Sequence, residues 1–176
     1  MGRWRLTNNQ RRGGETMEIR LARIDDRLIH GQVATTWAKQ IGINRIIVVS
    51  DEVANDSLRK FLLQEAAPPG IKSNVVTVSR MLDVCDNQLF QEQKVMLLFT
   101  NPQDVERLIR GGMKLNSLNI GGMRFTTGKR MITNFVSIDE QDADTFRYLH
   151  EQDIELEVRK VPTDRKVNLM ELLDKS

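Results

Sequence analysis

Cysteine is almost absent from this chain. Cys85 is the only one in 176 residues, which excludes an intrachain disulfide and a multi-cysteine zinc site and makes a reducing, cytoplasmic setting the expectation. No apolar run approaches the roughly 18 residues of a membrane span. The amino terminus also lacks the hydrophobic core of a signal peptide. No direct membrane insertion is expected, so any work at a membrane would go through a partner. Only two histidines occur, His30 and His150, and neither has a Cys or His neighbour at ligand spacing, so no metal is expected. Net charge is only +2, and the excess lies in Met1–Thr16, where Arg3, Arg5, Arg11 and Arg12 are set against Glu15 alone. The rest of the chain has no cationic excess with which to neutralise a phosphate backbone, so no nucleic-acid partner is expected. Nucleotide fingerprints are missing too. G-x-G-x-x-G occurs nowhere, and Gly121–Arg130 fails as a P-loop. The glycine needed five residues before Gly128 is Met123, and the hydroxyl residue needed after Lys129 is Arg130.

What is present is an alternation of strand and helix patterns. Met1–Thr16 is polar and arginine-rich with no apolar period, and is expected to be a disordered leader outside the fold. Arg12-Gly13-Gly14-Glu15-Thr16 can be encoded by a purine-rich ribosome-binding sequence, so Met17 is the expected native start and residues 17–176 one domain. Ile19, Leu21 and Ile24 alternate as a strand. Val33, Ala34, Trp37, Ala38 and Ile41 follow at helical spacing, and Gly42 stops that helix. Ile46–Val49 reads as a strand buried on both faces. Asn55-Asp56 opens a helix carrying Leu58, Phe61 and Leu62, which ends before Pro68-Pro69-Gly70. Val75, Val76 and Val78 make a strand. Ser79 is placed to cap the next helix, with Met81, Leu82 and Cys85 inward. Val95–Phe99 is the most apolar strand, and Asn101-Pro102 starts a helix that Gly111-Gly112 ends. Leu118–Ile120 is a brief strand running through Gly121-Gly122 into a basic loop, and Ile132–Val136 is another strand. Ser137-Ile138-Asp139-Glu140 fits a capping box ahead of a helix with Phe146 and Leu149. Ile154, Leu156 and Val158 alternate with charged residues as a half-exposed edge strand, and Val167, Leu169, Met170, Leu172 and Leu173 mark a terminal helix. The expected architecture is α/β, a single doubly wound, mostly parallel sheet with helices on both faces and an antiparallel edge strand.

Chemistry concentrates in Arg23-Ile24-Asp25-Asp26-Arg27-Leu28-Ile29-His30-Gly31-Gln32-Val33, at a strand-to-helix junction, where open α/β sheets bind ligands. Neutral imidazole is a good nucleophile near pH 7, which makes His30 the candidate to carry a phosphoryl group. The amides of Gly31 and Gln32 open the next helix, whose positive end suits such an anion. Arg27 offers a planar fork for phosphate oxygens. Asp25 or Asp26 is placed to orient the imidazole through its second nitrogen, and an ion-pair role is expected of Arg23. His150, late in a helix, reads as a solvated surface residue. The basic loop brings Arg124 and Lys129 as candidate rim or partner contacts, with a solvated turn as the equal alternative.

These residues resemble the IIB component of the mannose/sorbose class of the bacterial sugar phosphotransferase system. The resemblance runs from about Glu18 to Asp174. It is carried by Ala22–Val33, Val49-Ser50-Asp51-Glu52-Val53-Ala54, Ala66-Ala67-Pro68-Pro69-Gly70, Leu98-Phe99-Thr100-Asn101-Pro102, Asn119-Ile120-Gly121-Gly122-Met123 and Glu155-Leu156-Glu157-Val158-Arg159-Lys160. It implies a phosphorylated histidine at His30, loaded by a phosphohistidine on a IIA component and discharged to a sugar at the membrane components IIC and IID. Arg27 is implied to contact the phosphoryl group, no cofactor is implied, and mannose is the first choice of sugar. Some relatives are fused to a IIA domain. Met1–Thr16 matches neither that domain nor an interdomain hinge, which again marks it as extraneous. Two other classes compete: a non-enzymatic regulatory or binding module on a flavodoxin-like scaffold, and an ATP-using small-molecule kinase, which the missing P-loop disfavours.

Overall fold

The computed structural model describes residues 17–87, 90 and 92–176, so the expected disordered leader lies outside the described residues. Strand β1 (Glu18–Asp25) runs through the middle of a seven-stranded sheet. It pairs in parallel with β4 (Lys94–Phe99) on one side and β5 (Ser117–Gly122) on the other. β2 (Arg45–Val49) lies between β4 and β3 (Lys72–Val76), again in parallel. β8 (Glu155–Val158) adds in parallel to β5, and the two-residue β9 (Val167–Asn168) closes the edge antiparallel to β8. The order is therefore β3-β2-β4-β1-β5-β8-β9, the mostly parallel sheet with an antiparallel edge that the pattern predicts.

Helices cover both faces because the strands that carry them are apolar on both. Residues 46–49 of β2 and 95–99 of β4 are all buried. Helix α1 (Gly31–Ile41) places Ala34, Trp37 and Ala38 on one face, with Ile46, Val48, Met96 and Leu98 beneath them. Gly42 ends it at φ 64°, a left-handed cap that a side chain would strain. α3 (Ser57–Glu65) covers the same face through Leu63. The opposite face is covered by α4 (Val78–Val84), α5 (Pro102–Arg110), α6 (Glu140–Glu151) and α7 (Leu169–Asp174), over a core that includes Met81, Val105, Leu108, Phe146, Leu149, Leu169 and Leu173. After β1 the chain moves toward β2 under α1, whereas after β4 it returns across β1 to β5 over the other face. β1 is thus the switch point, and its carboxyl end opens the crevice where such sheets place ligands.

Several local expectations are corrected. Ile132–Val136 is not one strand of the sheet. The segment forms a separate antiparallel hairpin of β6 (Arg130–Thr133) and β7 (Val136–Ile138), turning at Asn134-Phe135. β8 is not the half-exposed edge, because β9 pairs beyond it and Glu157 is buried against Arg159. Val167, expected in the terminal helix, belongs to β9. Val78 starts α4 instead of ending β3, since the Thr77 hydroxyl, not Ser79, accepts from the Arg80 amide. At α6 the capping box is formed by Asp139 and Asp142, not by Ser137 and Glu140. A short helix α2 (Asp51–Ala54), capped by Ser50, went unforeseen. On α3 the apolar trio Leu58, Phe61 and Leu62 points to solvent. Among the described residues no helix is long and apolar enough to cross a membrane.

Candidate phosphoryl-transfer site at the end of β1

Asp25 is the last residue of β1 and its carboxylate is fully buried. The chain then reverses in a tight turn, with the Leu28 amide donating to the Asp25 carbonyl at 2.8 Å. The Arg27 amide donates to Asp25 Oδ1 at 3.2 Å, an Asx turn that anchors the loop to its own first residue. Leu28 adopts φ 59°, a left-handed conformation costly for a branched residue. Burial of Leu28 and Ile29 in the α1 face offsets that cost and leaves Arg27 and His30 facing outward. His30 is the N-cap of α1, in extended conformation, and its side chain makes no capping bond. The imidazole is therefore free for other work, and the first-turn amides of α1 lack a side-chain cap.

One carboxylate organises the site. Asp25 Oδ2 lies 3.2 Å from His30 Nε2. The same oxygen accepts from Arg23 Nη2 at 3.0 Å and from Arg27 Nη2 at 3.2 Å, while Oδ1 accepts from Arg27 Nε at 3.1 Å. Burial pushes the Asp25 carboxyl up. The Arg27 hydrogen bond, the Arg23 charge and the bonds from His30 and the Arg27 amide more than offset it, so the group is held below the ordinary carboxylate range. Of the two aspartates considered for orienting the ring, Asp25 reaches it. Asp26 turns away, accepting from the Arg124 amide at 2.8 Å and pairing with its guanidinium at 3.3 Å.

Exposure separates the roles. Arg27 is 47% exposed and His30 24%, whereas Arg23 and Asp25 are at 2% and 1%. With Asp25 ionised and both arginines charged, the cluster carries one net positive charge beside a partly exposed imidazole. Gly31 heads α1 at φ 38° with open space around it, and the backbone of Gln32 lies in the first turn of that helix, its side chain outside the described residues. Arg124, largely exposed, stands at the rim through its contact with Asp26. The Lys129 ammonium pairs with the buried Asp142 carboxylate at 3.0 Å, near the start of α6. His150 is exposed, at the far end of the same helix. Among the described residues no group of His, Cys, Asp or Glu has the arrangement of a metal centre.

Behind Asp25, Arg23 makes the ion pair expected of it, and the groups that hold Arg23 in place are ones the sequence did not point to. Arg23 Nη1 donates to Asn119 Oδ1 at 2.6 Å and to the Arg159 carbonyl at 3.1 Å, and Nη2 also donates to the Lys160 carbonyl at 3.1 Å. Trp37 of α1 is flanked by Arg23 at 5.3 Å and Arg159 at 5.2 Å from its ring centre, and its indole N–H donates to the Lys160 carbonyl at 3.1 Å. A β-carbon on Gly121 would stand 2.0 Å from Arg23 Cζ, and one on Gly122 would stand 3.1 Å from Asp25 Oδ1. The signals were a charged and an amide residue, Arg23 and Asn119, inside two apolar strands where they are register partners, and two glycines at a strand end.

Comparison with known proteins shows the family. The family model described as the PTS system sorbose subfamily IIB component matches residues 19–176. The mannose-specific EIIAB component of Escherichia coli K12 is 57% identical over 159 residues, covering 90% of this chain and 49% of that protein. The chain thus spans about half the length of the EIIAB relatives it matches. The sorbose-specific EIIB component of Lacticaseibacillus casei is 49% identical, covering 90% of this chain and 96% of that one. Among solved structures, the IIBSor domain of the Klebsiella pneumoniae sorbose permease superposes with a TM-score of 0.88 at 46% identity, covering 91% of this chain and 98% of that one. The chain belongs to the sorbose-subfamily IIB components of the sugar phosphotransferase system.

Proposed function

We propose that this IIB component carries a phosphoryl group on Nδ1 of His30, taking it from a phosphohistidine on a IIA component and passing it to a sugar at the membrane components IIC and IID. The observation that carries this reading is the 3.2 Å contact of His30 Nε2 with the buried Asp25 carboxylate. A neutral imidazole that donates its Nε2 proton to that carboxylate leaves the Nδ1 lone pair free. In the step itself, Nδ1 attacks phosphorus in line, the phosphorus–nitrogen bond to the donor histidine breaks, and a new one forms to Nδ1. Nε2 keeps its proton throughout, so no base is required. The incoming group brings nearly two negative charges. Arg27, half exposed beside the ring, and the first-turn amides of α1 at Gly31 and Gln32 receive them. Positioning and charge stabilisation are most of what phosphoryl transfer asks of a protein. A carrier must also release the group, which fits one exposed arginine better than a metal clamp.

The reading places the protein in the cytoplasm, held at the membrane through IIC and IID, as a protein-Npi-phosphohistidine–sugar phosphotransferase without a cofactor. Mannose-type hexose is the proposed sugar, on the higher identity to the mannose-specific relative than to the sorbose-specific one. Arg124, exposed at the rim, is a proposed contact for the donor. The test is labelling by phosphorylated IIA: wild type acquires acid-labile, base-stable phosphate and His30→Ala acquires none. Full labelling of that variant would refute the assignment.

A further inference from the structure

We infer that Arg23 is a positioning residue for phosphoryl transfer: by fixing Asp25, it holds His30 in the tautomer that leaves Nδ1 free. The inference rests on the proposed role of His30 and goes beyond it, since Arg23 touches neither the ring nor the space in front of it.

The Arg23 guanidinium is saturated and immobile. Its two terminal nitrogens have four N–H groups, and four acceptors meet them: Asn119 Oδ1, the Arg159 and Lys160 carbonyls, and Asp25 Oδ2. A planar fork saturated in this way cannot rotate without breaking bonds. Trp37 lies over it, and the Gly121 backbone approaches so closely that no β-carbon would fit between them. Arg23 is therefore fixed by β5, by the chain leaving β8 and by α1 together. Its one ion pair among the described residues is with Asp25 Oδ2, the oxygen that also meets His30 Nε2. With Oδ1 held by the Arg27 backbone amide, fixing Oδ2 fixes the plane of the carboxylate and so the nitrogen to which it offers a lone pair.

Arg27 cannot do this alone. It is half exposed and binds the same carboxylate through Nε and Nη2, yet it is also the arginine placed to meet the phosphoryl group. When Arg27 turns toward that group, a buried carboxylate with no second cation would be left uncompensated and would protonate or rotate. Arg23 stays behind, keeping Asp25 ionised and oriented through the reaction. The same network links the chain at Arg159-Lys160 to the His30 loop, which accounts for a buried charged side chain near the carboxyl end of β1.

The test uses the full chain, 15N-labelled at histidine, in wild-type, Arg23→Lys and Asn119→Ser forms. Lysine keeps the charge but not the fork, and Asn119→Ser keeps both charges while removing the 2.6 Å acceptor. Imidazole 15N shifts report the His30 tautomer, and single-turnover labelling by phosphorylated IIA reports transfer. Wild type shows the Nε2–H tautomer. Arg23→Lys shows a mixture and transfers about 100-fold more slowly, the scale of a 1 Å misplacement, and Asn119→Ser moves both readouts in the same direction by less. An unchanged tautomer in both variants overturns the inference even if transfer slows, because a merely structural arginine would slow it without moving the proton. If Arg23→Lys does not fold, the tautomer in Asn119→Ser decides alone. Wild type that is labelled while the variants match it sinks only this inference, whereas wild type unlabelled at His30 sinks the reading beneath it as well.

Discussion

The closest approach in the site gives its sharpest stability prediction. A β-carbon at Gly121 would lie 2.0 Å from Arg23 Cζ, 2.1 Å from Nη1 and 2.2 Å from Nη2. Carbon atoms in contact settle near about 3.5 Å, so Gly121→Ala must displace the guanidinium or β5 by about 1.5 Å. The guanidinium has nowhere to go, with four acceptors holding its edge and Trp37 over its face. A shift of that size breaks hydrogen bonds from a charged donor. Losing two of the four at about 1.5 kcal/mol each gives about 3 kcal/mol, the upper end of what overpacking a core costs. For a chain of this length, that lowers the melting temperature by roughly 6–12 °C. Thermal unfolding followed by circular dichroism measures it, and a double-mutant cycle with Arg23→Met assigns it. The alanine should cost distinctly less once the guanidinium is gone. A melting temperature within about one degree of wild type, or an equal loss in both backgrounds, would refute the reasoning.

Two further expectations follow from the exposure and charge of the cluster. Arg27→Ala leaves folding intact, because its side chain is half exposed, and slows single-turnover transfer by about 100-fold, as for loss of one transition-state donor; an unchanged rate would make Arg27 structural only. Asp25 is held below the ordinary carboxylate range in the folded protein, so the unfolded chain binds its proton first as acid is added. Its contribution to stability is full above about pH 4, the unfolded value, and is lost as pH falls through the lower folded one. Asp25→Asn therefore flattens that acid limb in urea titrations at stepped pH. Burial shifts Asp104 the other way, but it is common to both proteins and drops out of their difference. An identical acid limb in the two would show that Asp25 does not supply it.

The sheet was legible because its signals are local. The β-branched run Ile46–Val49 and the continuous apolar run Val95–Phe99 are strands buried on both faces, and Gly42 and Asn101-Pro102 mark helix boundaries that the structure keeps. Boundaries failed where two residues compete for one role. Thr77 and Ser79 can both cap, and the hydroxyl that meets the third amide beyond it prevails. Asp139 displaced Ser137 for the same reason. The hairpin at residues 130–138 was read as one strand because Asn134-Phe135 carries no glycine or proline to mark the turn. The alternation of Glu155 and Glu157 with apolar residues predicts an edge at β8. Glu157 is buried all the same, neutralised by Arg159 only two residues along the chain. In the site, Asp25, Arg27 and His30 stood together in sequence and stand together in space. Asn119, Gly121 and the Arg159-Lys160 carbonyls join them from strands about 100 or more residues away, and only the pairing of β1 with β5 and of β5 with β8 makes them neighbours. The partner of Lys129 is equally non-local in pattern, a buried carboxylate on α6 that the sequence of its own loop does not announce.

The central claim is that one imidazole carries phosphorus between two other proteins, and peptide mapping by mass spectrometry tests it most directly. Full-length protein is incubated with phosphorylated IIA, digested under alkaline conditions that preserve phosphoramidates, and its peptides are sequenced. The account predicts a single phosphoryl group, on the peptide that contains His30, lost on brief acid treatment and lost again when sugar and the membrane components are supplied. Phosphate on His150, on a hydroxyl or carboxyl side chain, or on no peptide at all would contradict it.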